Sequence, residues 1–437
     1  MTRANTCTST WTTKWPAGDN RFRDPHAVFE ELRAAGENAV VLGSGELGAN
    51  SRWTFVGVVN EKVKVPDGER GLIFMREFVR KNFRKKKAGE PPFTGGFVGF
   101  LSYDLGAKWQ GIRQRVKDDV GCPEARFVYV DEVFAFNEPR HHAGKACGSP
   151  AQDMHKVPAP KSNLTYSEYA DKIRKIKDYL YAGDTYQVNF SQRFQIPFRG
   201  DAFELYKRAT AINPSPFQFF MEALEFAVIS NSPERLMRVE GGRRKFIETR
   251  PIKGTVKRGK TAAEDAKNIK KLLASEKEKA ELAMITDLER NDIGKICVPG
   301  TVKVTENRAI EKYSHVIHTI SNVRGELECG RDWYDALQAV FPGGSITGCP
   351  KKRTMEIIDE LEDCKRGIYC GSAGYIDLSG NCDFNIMIRT LWLGKGKNGV
   401  KLLFHSGGGI VADSDPRAEY EETMHKAAAL LNAINSR

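Results

Sequence analysis

A chain of 437 residues, 41% hydrophobic and 28% charged, is long enough for one large or two ordinary domains with a sizeable core. That balance excludes a disordered or fibrous chain, and no apolar stretch approaches the roughly 18 residues that a bilayer span requires; a cytoplasmic protein with no membrane partner is expected. The net charge of +11 admits a nucleic-acid partner or a small anionic substrate.

In chain order, the nine cysteines contain no Cys-x-x-Cys pair, so neither a disulfide framework nor a zinc site is expected. Residues 38–42 and 126–130 read as strands. The basic run 80–87, beside Glu90-Pro91-Pro92, reads as a solvated face. Glycines alternate with aromatics over 95–103, which predicts close backbone packing, as at a bulged strand. Residues 141–163 combine His, Gly, Ser and Pro with few large apolar side chains; they read as a linker between 1–140 and 164–437.

Beyond it, Thr165 with Glu168 forms a capping box for a helix that ends near Gly183. Residues 186–192 alternate as a strand does, and 236–239 with 245–247 flank Gly241-Gly242 as a hairpin. One long helix is expected over 263–292, with Ile269, Leu272, Leu273, Ala280, Met284 and Leu288 along its apolar stripe. Three strands follow, 368–377, 384–393 and 400–406, joined by short turns that favour antiparallel pairing. Asp415-Pro416 opens a final helix to about Ile434. Strands mixed with helices and few βαβ repeats give the class α+β.

Three constellations carry chemistry. The first is a pair of helical Glu-x-x-Glu motifs, Glu278 with Glu281 and Glu419 with Glu422, whose spacing puts both carboxylates of a pair on one face. Glu281 shares its face with Met284, Ile285 and Leu288, so it points towards packed structure, where a proton or a cation must answer it. Four carboxylates suit Mg²⁺, a hard ion that keeps waters for a substrate to displace. Among 56 acidic residues, spacing alone favours exposed glutamates.

The second constellation is an anion set. Gly407, Gly408 and Gly409 follow a strand and leave their amides open, Arg389 on the neighbouring strand offers a bidentate fork, and residues 343–348 precede a helix N-terminus. Together they describe a pocket for a small, multiply anionic molecule. The third is 248–255 with 232–235 upstream. Lys253, beside Gly254, is an amine nucleophile if desolvation or a nearby cation lowers its pKa, and a glutamate facing it is a general acid. Taken alone, Lys253 reads as a surface lysine, and His315 and His318 as core donors. Residues 254–261 have Walker A spacing, but Pro251 and Lys257-Arg258 do not suit a strand feeding a phosphate loop.

At this point the sequence resembles the chorismate-utilising enzymes, which include anthranilate synthase component I and aminodeoxychorismate synthase component I. The resemblance runs over 166–431, with a looser match over 40–104. It is carried by GDTYQVNFSQRF (183–194), SPERL (232–236), ETRPIKGT (248–255), ITDLERNDIG (285–294), FPGGSITGCPKKRTMEIIDELE (341–362) and GGGIVADSDPRAEYEET (407–423). It implies antiparallel sheets packed as a sandwich-like core with helices outside. It also implies Mg²⁺ between the substrate and a set drawn from Glu278, Glu281, Glu419 and Glu422. Arg389, Tyr369 and the amides of Gly407 to Gly409 would hold substrate carboxylates, Ser345 would lie near the ring, His318 would assist, and Glu234 would be the acid that helps expel the C4 hydroxyl.

Two positions choose within the family. Isochorismate- and salicylate-forming members carry a lysine where Gln187 stands, and that lysine activates water; glutamine points to ammonia instead. Anthranilate-forming members typically carry alanine where Lys253 stands, and lysine is the pattern of aminodeoxychorismate synthase. The expected activity is therefore conversion of chorismate and ammonia to 4-amino-4-deoxychorismate, towards 4-aminobenzoate and folate, with anthranilate formation as the alternative. No Gly-x-Cys-x-Gly segment is present, so a separate glutamine amidotransferase subunit is the expected ammonia source; a fused lyase is not expected beyond the final helix. Cys349 replaces the usual alanine, residues 286–290 vary a more hydrophobic pattern, and residues 42–46 follow the tryptophan-binding segment of relatives only loosely. No base-reading motif occurs, so no nucleic-acid partner is expected.

Overall fold

The computed structural model describes residues 24–45, 53–137, 160–313, 316–396 and 399–435. The linker reading at 141–159 and His315 fall outside them. Strand pairs between named strands are all antiparallel and join into one winding order. From one end it runs Lys303–Lys312, Val316–Glu326, Lys245–Arg250, Arg235–Gly241, Cys382–Asn385, Ser372–Asp377, Gly96–Leu101, Ala125–Phe136. It continues through Thr54–Val59, Ala39–Gly43, Phe217–Glu222, Phe226–Ser232, Thr390–Gly396, Gly399–Ile410 and Gln187–Phe198. Strands that precede residue 140 pair with strands that follow 164, so both segments share one sheet.

The sheet folds over itself. Val98, Phe100 and Ala373 from one arm share a buried cluster with Phe219, Val228 and Leu403 from the other. Successive strand residues face opposite sides, so Phe97, Phe127 and Tyr129 point outward, under helices Glu69–Lys81 and Trp333–Val340. On the other arm Ile229, Leu391 and Phe404 lie under Pro25–Ala34, Ala202–Ile212 and Pro416–Asn435. The architecture is the expected α+β sandwich with helices outside.

Local signals produce local structure. The Thr165–Glu168 capping box is present, the 235–250 hairpin forms, and Asp415 accepts from the amides of Arg417 and Ala418 at 3.0 and 2.9 Å. The glycines of 95–103 permit a close approach: a Cβ on Gly99 would stand 2.1 Å from the Arg126 carbonyl oxygen. In the basic run, Lys86 meets Asp377 at 3.2 Å and Arg80 meets Asp332 at 2.8 Å, so part of it is tied to the fold.

Three elements differ from expectation. The helix over 263–292 is two helices, Ala262–Ala274 and Glu276–Gly294, because Ser275 is extended (ψ 110) and caps the second through the Glu278 amide. The break resets the helical phase, so the inward stripe of the second is Leu282, Ile285, Thr286, Glu289, Asp292 and Ile293. The strand over 384–393 is interrupted where Arg389 adopts φ 53, and its halves pair with different partners. The strand expected to stop at Ser406 continues to Ile410 and takes the glycines into the ladder.

Candidate active site

Gly407, Gly408 and Gly409 pair in register with Ser191, Phe190 and Asn189, so they are strand rather than an open loop. On the other edge the pairing with Thr390–Gly396 stops at Leu403, beside the glycines that need no side-chain room. Clearance explains the residue type. A Cβ on Gly407 would stand 2.5 Å from the Phe190 oxygen and 2.9 Å from Tyr369 Oη, and one on Gly409 would stand 2.4 Å from Gln187 Nε2. On the opposite side, a Cβ on Gly408 would lie 3.3 Å from Glu419 Oε2 and 3.8 Å from Glu422 Oε1. The triplet thus touches Tyr369 and Gln187 with one face and the acidic pair with the other.

Gln187 is fully buried, and neither its amide oxygen nor its nitrogen has a hydrogen-bond partner among the described residues. A buried amide left open in this way is suited to a ligand. Arg389 has only Asn213 Oδ1 at 3.4 Å, with no ion pair among the described residues, and burial pulls its pKa down. His318, 2% exposed, shares a 2.8 Å hydrogen bond between Nδ1 and Thr255 Oγ1. Burial and the nearby Arg389 charge push it down to about 4, so it is a neutral imidazole at neutral pH.

Lys253 lies on strand Ile252–Lys257 with its side chain 16% exposed, and its Nζ is 3.8 Å from Glu281 Oε2. It is not a surface lysine. Gly254, at φ 86, leaves space that Glu278 approaches: a Cβ there would stand 3.2 Å from Glu278 Oε2. Glu234 is 5% exposed and accepts from the Ile252 amide at 3.3 Å. Burial raises its pKa; Ser345 beside it, the Ile252 amide and the Lys253 charge pull the other way. Glu248, in the same motif as Lys253, is engaged by Arg238 at 2.9 Å and Arg235 at 3.4 Å, which leaves Glu234 as the free acid. Residues 343–348 precede helix Lys351–Leu361, as expected; they fold as a short turn, Gly344–Ile346, and a bridge of Gly348 to Val188, which puts Ser345 beside Glu234.

The Glu-x-x-Glu pairs come from helices at distant points of the chain, and their charges reach one another. Burial and then Glu281 raise Glu278, which also senses Glu422; burial raises Glu419 despite a 2.6 Å hydrogen bond from Ser414. Glu422 falls below the usual range, the effect of burial being outweighed by Lys426, Lys277 and Lys253. Among the described residues no three His, Cys, Asp or Glu are gathered tightly enough to hold a metal ion as placed. The donor chemistry nonetheless fits a hard divalent cation: four carboxylates, two of them held up by burial and like charge.

One buried carboxyl went unread in the sequence: Glu289 is 7% exposed on the inward stripe, in helical phase with Glu278, Leu282 and Ile285, and that phase was the available signal. Elsewhere, Leu42 and Ser44 of the loosely matching N-terminal segment line a separate cleft of about 170 Å³ with Trp53, Phe217 and Asp383; Glu46 is outside the described residues.

A half-buried lysine, a buried acid, a neutral histidine, a guanidinium with no ion pair among the described residues and an acidic pair of helices are thus neighbours around the glycine strand and Gly254, and together they are the candidate site. The chain belongs to the chorismate binding enzyme family, whose pattern matches residues 58–432. It is 38% identical to aminodeoxychorismate synthase component 1 of Bacillus subtilis over 79% of this chain and 78% of that protein. It is 36% identical to anthranilate synthase component 1 of Aquifex aeolicus over 94% of this chain and 92% of that one. Anthranilate synthase component I of Streptococcus pneumoniae superposes with a TM-score of 0.73 at 28% identity, covering 88% of this chain and 93% of the other. The menaquinone-specific isochorismate synthase of Escherichia coli shares the fold, with a TM-score of 0.68 at 17% identity over 91% of this chain and 88% of the other. Chorismate is the substrate of the family, and no helix among the described residues is long and apolar enough to cross a membrane.

Proposed function

We propose that this enzyme converts chorismate and ammonia to 4-amino-4-deoxychorismate, with Lys253 as nucleophile and Glu234 as general acid. The observation that carries the reading is the placement of the Lys253 amine: largely withdrawn from water, 3.8 Å from Glu281 Oε2 and close enough to Glu234 to lower its pKa. The amine nitrogen adds at C2 of chorismate, both ring double bonds shift by one position, and the C4–O bond breaks as Glu234 gives its proton to the departing oxygen, which leaves as water. Ammonia then adds at C4, both double bonds shift back, the C2–N bond to Lys253 breaks, and the surplus proton returns to Glu234. Splitting one displacement into two additions is what covalent catalysis provides. Arg389, Tyr369 and the strand edge at Gly407 to Gly409 orient the carboxylates, Ser345 stands by the ring, and neutral His318 is available for hydrogen bonding. Glu278, Glu281, Glu419 and Glu422 would hold Mg²⁺, which when bound offsets substrate carboxylate charge. Chelation should therefore abolish turnover and Mg²⁺ should restore it.

Ammonia is taken from a glutamine amidotransferase partner, as the component 1 names of the relatives suggest, and the product feeds 4-aminobenzoate and folate synthesis. The second reading, anthranilate formation, is favoured by the length of the Aquifex aeolicus match, 94% of this chain. One assay separates them: chorismate, Mg²⁺ and ammonium at alkaline pH, following pyruvate. Release only after addition of a lyase supports the proposal; prompt release with anthranilate fluorescence overturns it.

A further inference from the structure

Glu289 is a carboxyl that this reaction leaves unused. Its Oε2 is buried without a hydrogen-bond partner among the described residues. Its helix presses Leu288 against Gly344, where a Cβ would meet Leu288 Cδ2 at 2.6 Å, so the turn carrying Ser345 rides on the helical turn carrying Glu289. From strand Lys245–Arg250, Thr249 enters the same wall, 1% exposed. Thr249 is the hydroxyl beside Glu289 and Ser345 the hydroxyl beside Glu234, yet neither is aligned into a completed hydrogen bond. Two buried carboxyls, each with an uncommitted hydroxyl beside it, therefore flank the turn that carries Ser345.

The charged groups that Glu289 senses are Glu234, Asp292 and Lys351. Asp292 and Lys351 are occupied with each other at 2.5 Å, whereas Glu234 has no ion pair at salt-bridge distance among the described residues. Burial, with the Glu234 and Asp292 charges adding to it, pushes Glu289 up to about 8. Two carboxyls that repel each other titrate as a pair, and the second proton is held far longer than the first.

We propose that Glu289 is a proton store for Glu234: the two hold one proton jointly through the neutral range, and the arriving anionic substrate draws it onto Glu234. The proposal rests on the reading of Glu234 as the group that protonates the leaving oxygen. Glu289 becomes a carboxylate as Glu234 gains the proton; Glu234 passes it to the C4 oxygen as the C4–O bond breaks; the nitrogen bonded at C4 then sheds a proton and restores the pair. Glu289 touches no substrate and acts as a positioning residue for that proton.

The test is the pH dependence of kcat/KM for chorismate consumption at fixed free ammonia and saturating Mg²⁺. In the unaltered protein the pair keeps its proton to about pH 8, and the alkaline limb falls there. Glu289→Gln removes the repelling neighbour, leaves Glu234 titrating alone and moves the limb towards acid. Thr249→Val removes the hydroxyl that favours the Glu289 carboxylate and moves the limb the other way. A purely structural role would not shift the limb in opposite directions. An unmoved limb in folded Glu289→Gln overturns the proposal; if that variant loses its thermal transition, Thr249→Val decides alone, and an unmoved limb there overturns it. Glu234→Gln separates the two readings: turnover like the unaltered protein removes the role of Glu234 and the store with it, whereas an inactive Glu234→Gln beside an unmoved Glu289→Gln limb removes the store alone.

Discussion

His318 is neutral because two influences act in one direction: burial withholds the water that an imidazolium needs, and Arg389 adds a repelling charge. Replacing Arg389 by Gln should raise the His318 pKa from about 4 part of the way towards 6.5, since burial, the larger cause, remains; NMR titration of the imidazole measures it. The linkage sign follows. A base with a depressed folded pKa leaves stability intact above 6.5 and erodes it as pH falls towards about 4, so His318→Gln should flatten the acid side of the melting-temperature profile. Lys253→Ala should lose on the order of 10² in turnover or more while still binding chorismate, as read by initial rates and equilibrium titration. Lys253 could be picked out of the sequence only by resemblance, because nothing local distinguishes a withdrawn lysine from an exposed one. The motif's acidic positions carried the same ambiguity: Glu248 went to arginine partners and Glu234 did not.

At the scale of elements, caps and turns were legible because neighbouring residues determine them. The capping box at Thr165 and the Asp415-Pro416 start both formed as their sequences predict. Ser275 shows the limit. Its neighbours are good helix formers, yet it leaves the helix and caps the next one, which turns Glu289 inward and Ala280 outward. Ser275→Ala should cost about 1 kcal/mol in denaturant unfolding, the usual worth of a serine cap. The glycine triplet offers a graded comparison. Gly407→Ala must push on the Phe190 carbonyl, whereas Gly408→Ala meets the far ends of flexible side chains, Glu419 at 3.3 Å and Glu422 at 3.8 Å, so Gly407→Ala should raise KM for chorismate more than Gly408→Ala.

In the whole molecule, the site is where three long-range arrangements meet: the fold-over of one antiparallel sheet, the helix Glu276–Gly294 laid against it, and the C-terminal helix Pro416–Asn435 set beside the glycine strand. The Lys351–Asp292 pair ties the Ser345 turn region to the first of these helices, at 8% and 5% side-chain exposure. Asp292→Ala should destabilise the protein by about 3–5 kcal/mol in a denaturant titration, because an unpaired buried ammonium is left behind.

The sequence by itself determined the class of fold, the positions of most turns and caps, and the family, since these follow from periodicity, local hydrogen bonding and long contiguous motifs. Only the tertiary structure decided which carboxyls are buried, which ion pairs are closed, and that Gly408 would stand beside Glu419 and Glu422. Burial and charge are properties of neighbours in space. Here those neighbours lie up to hundreds of residues apart in the chain, so no local pattern could encode them.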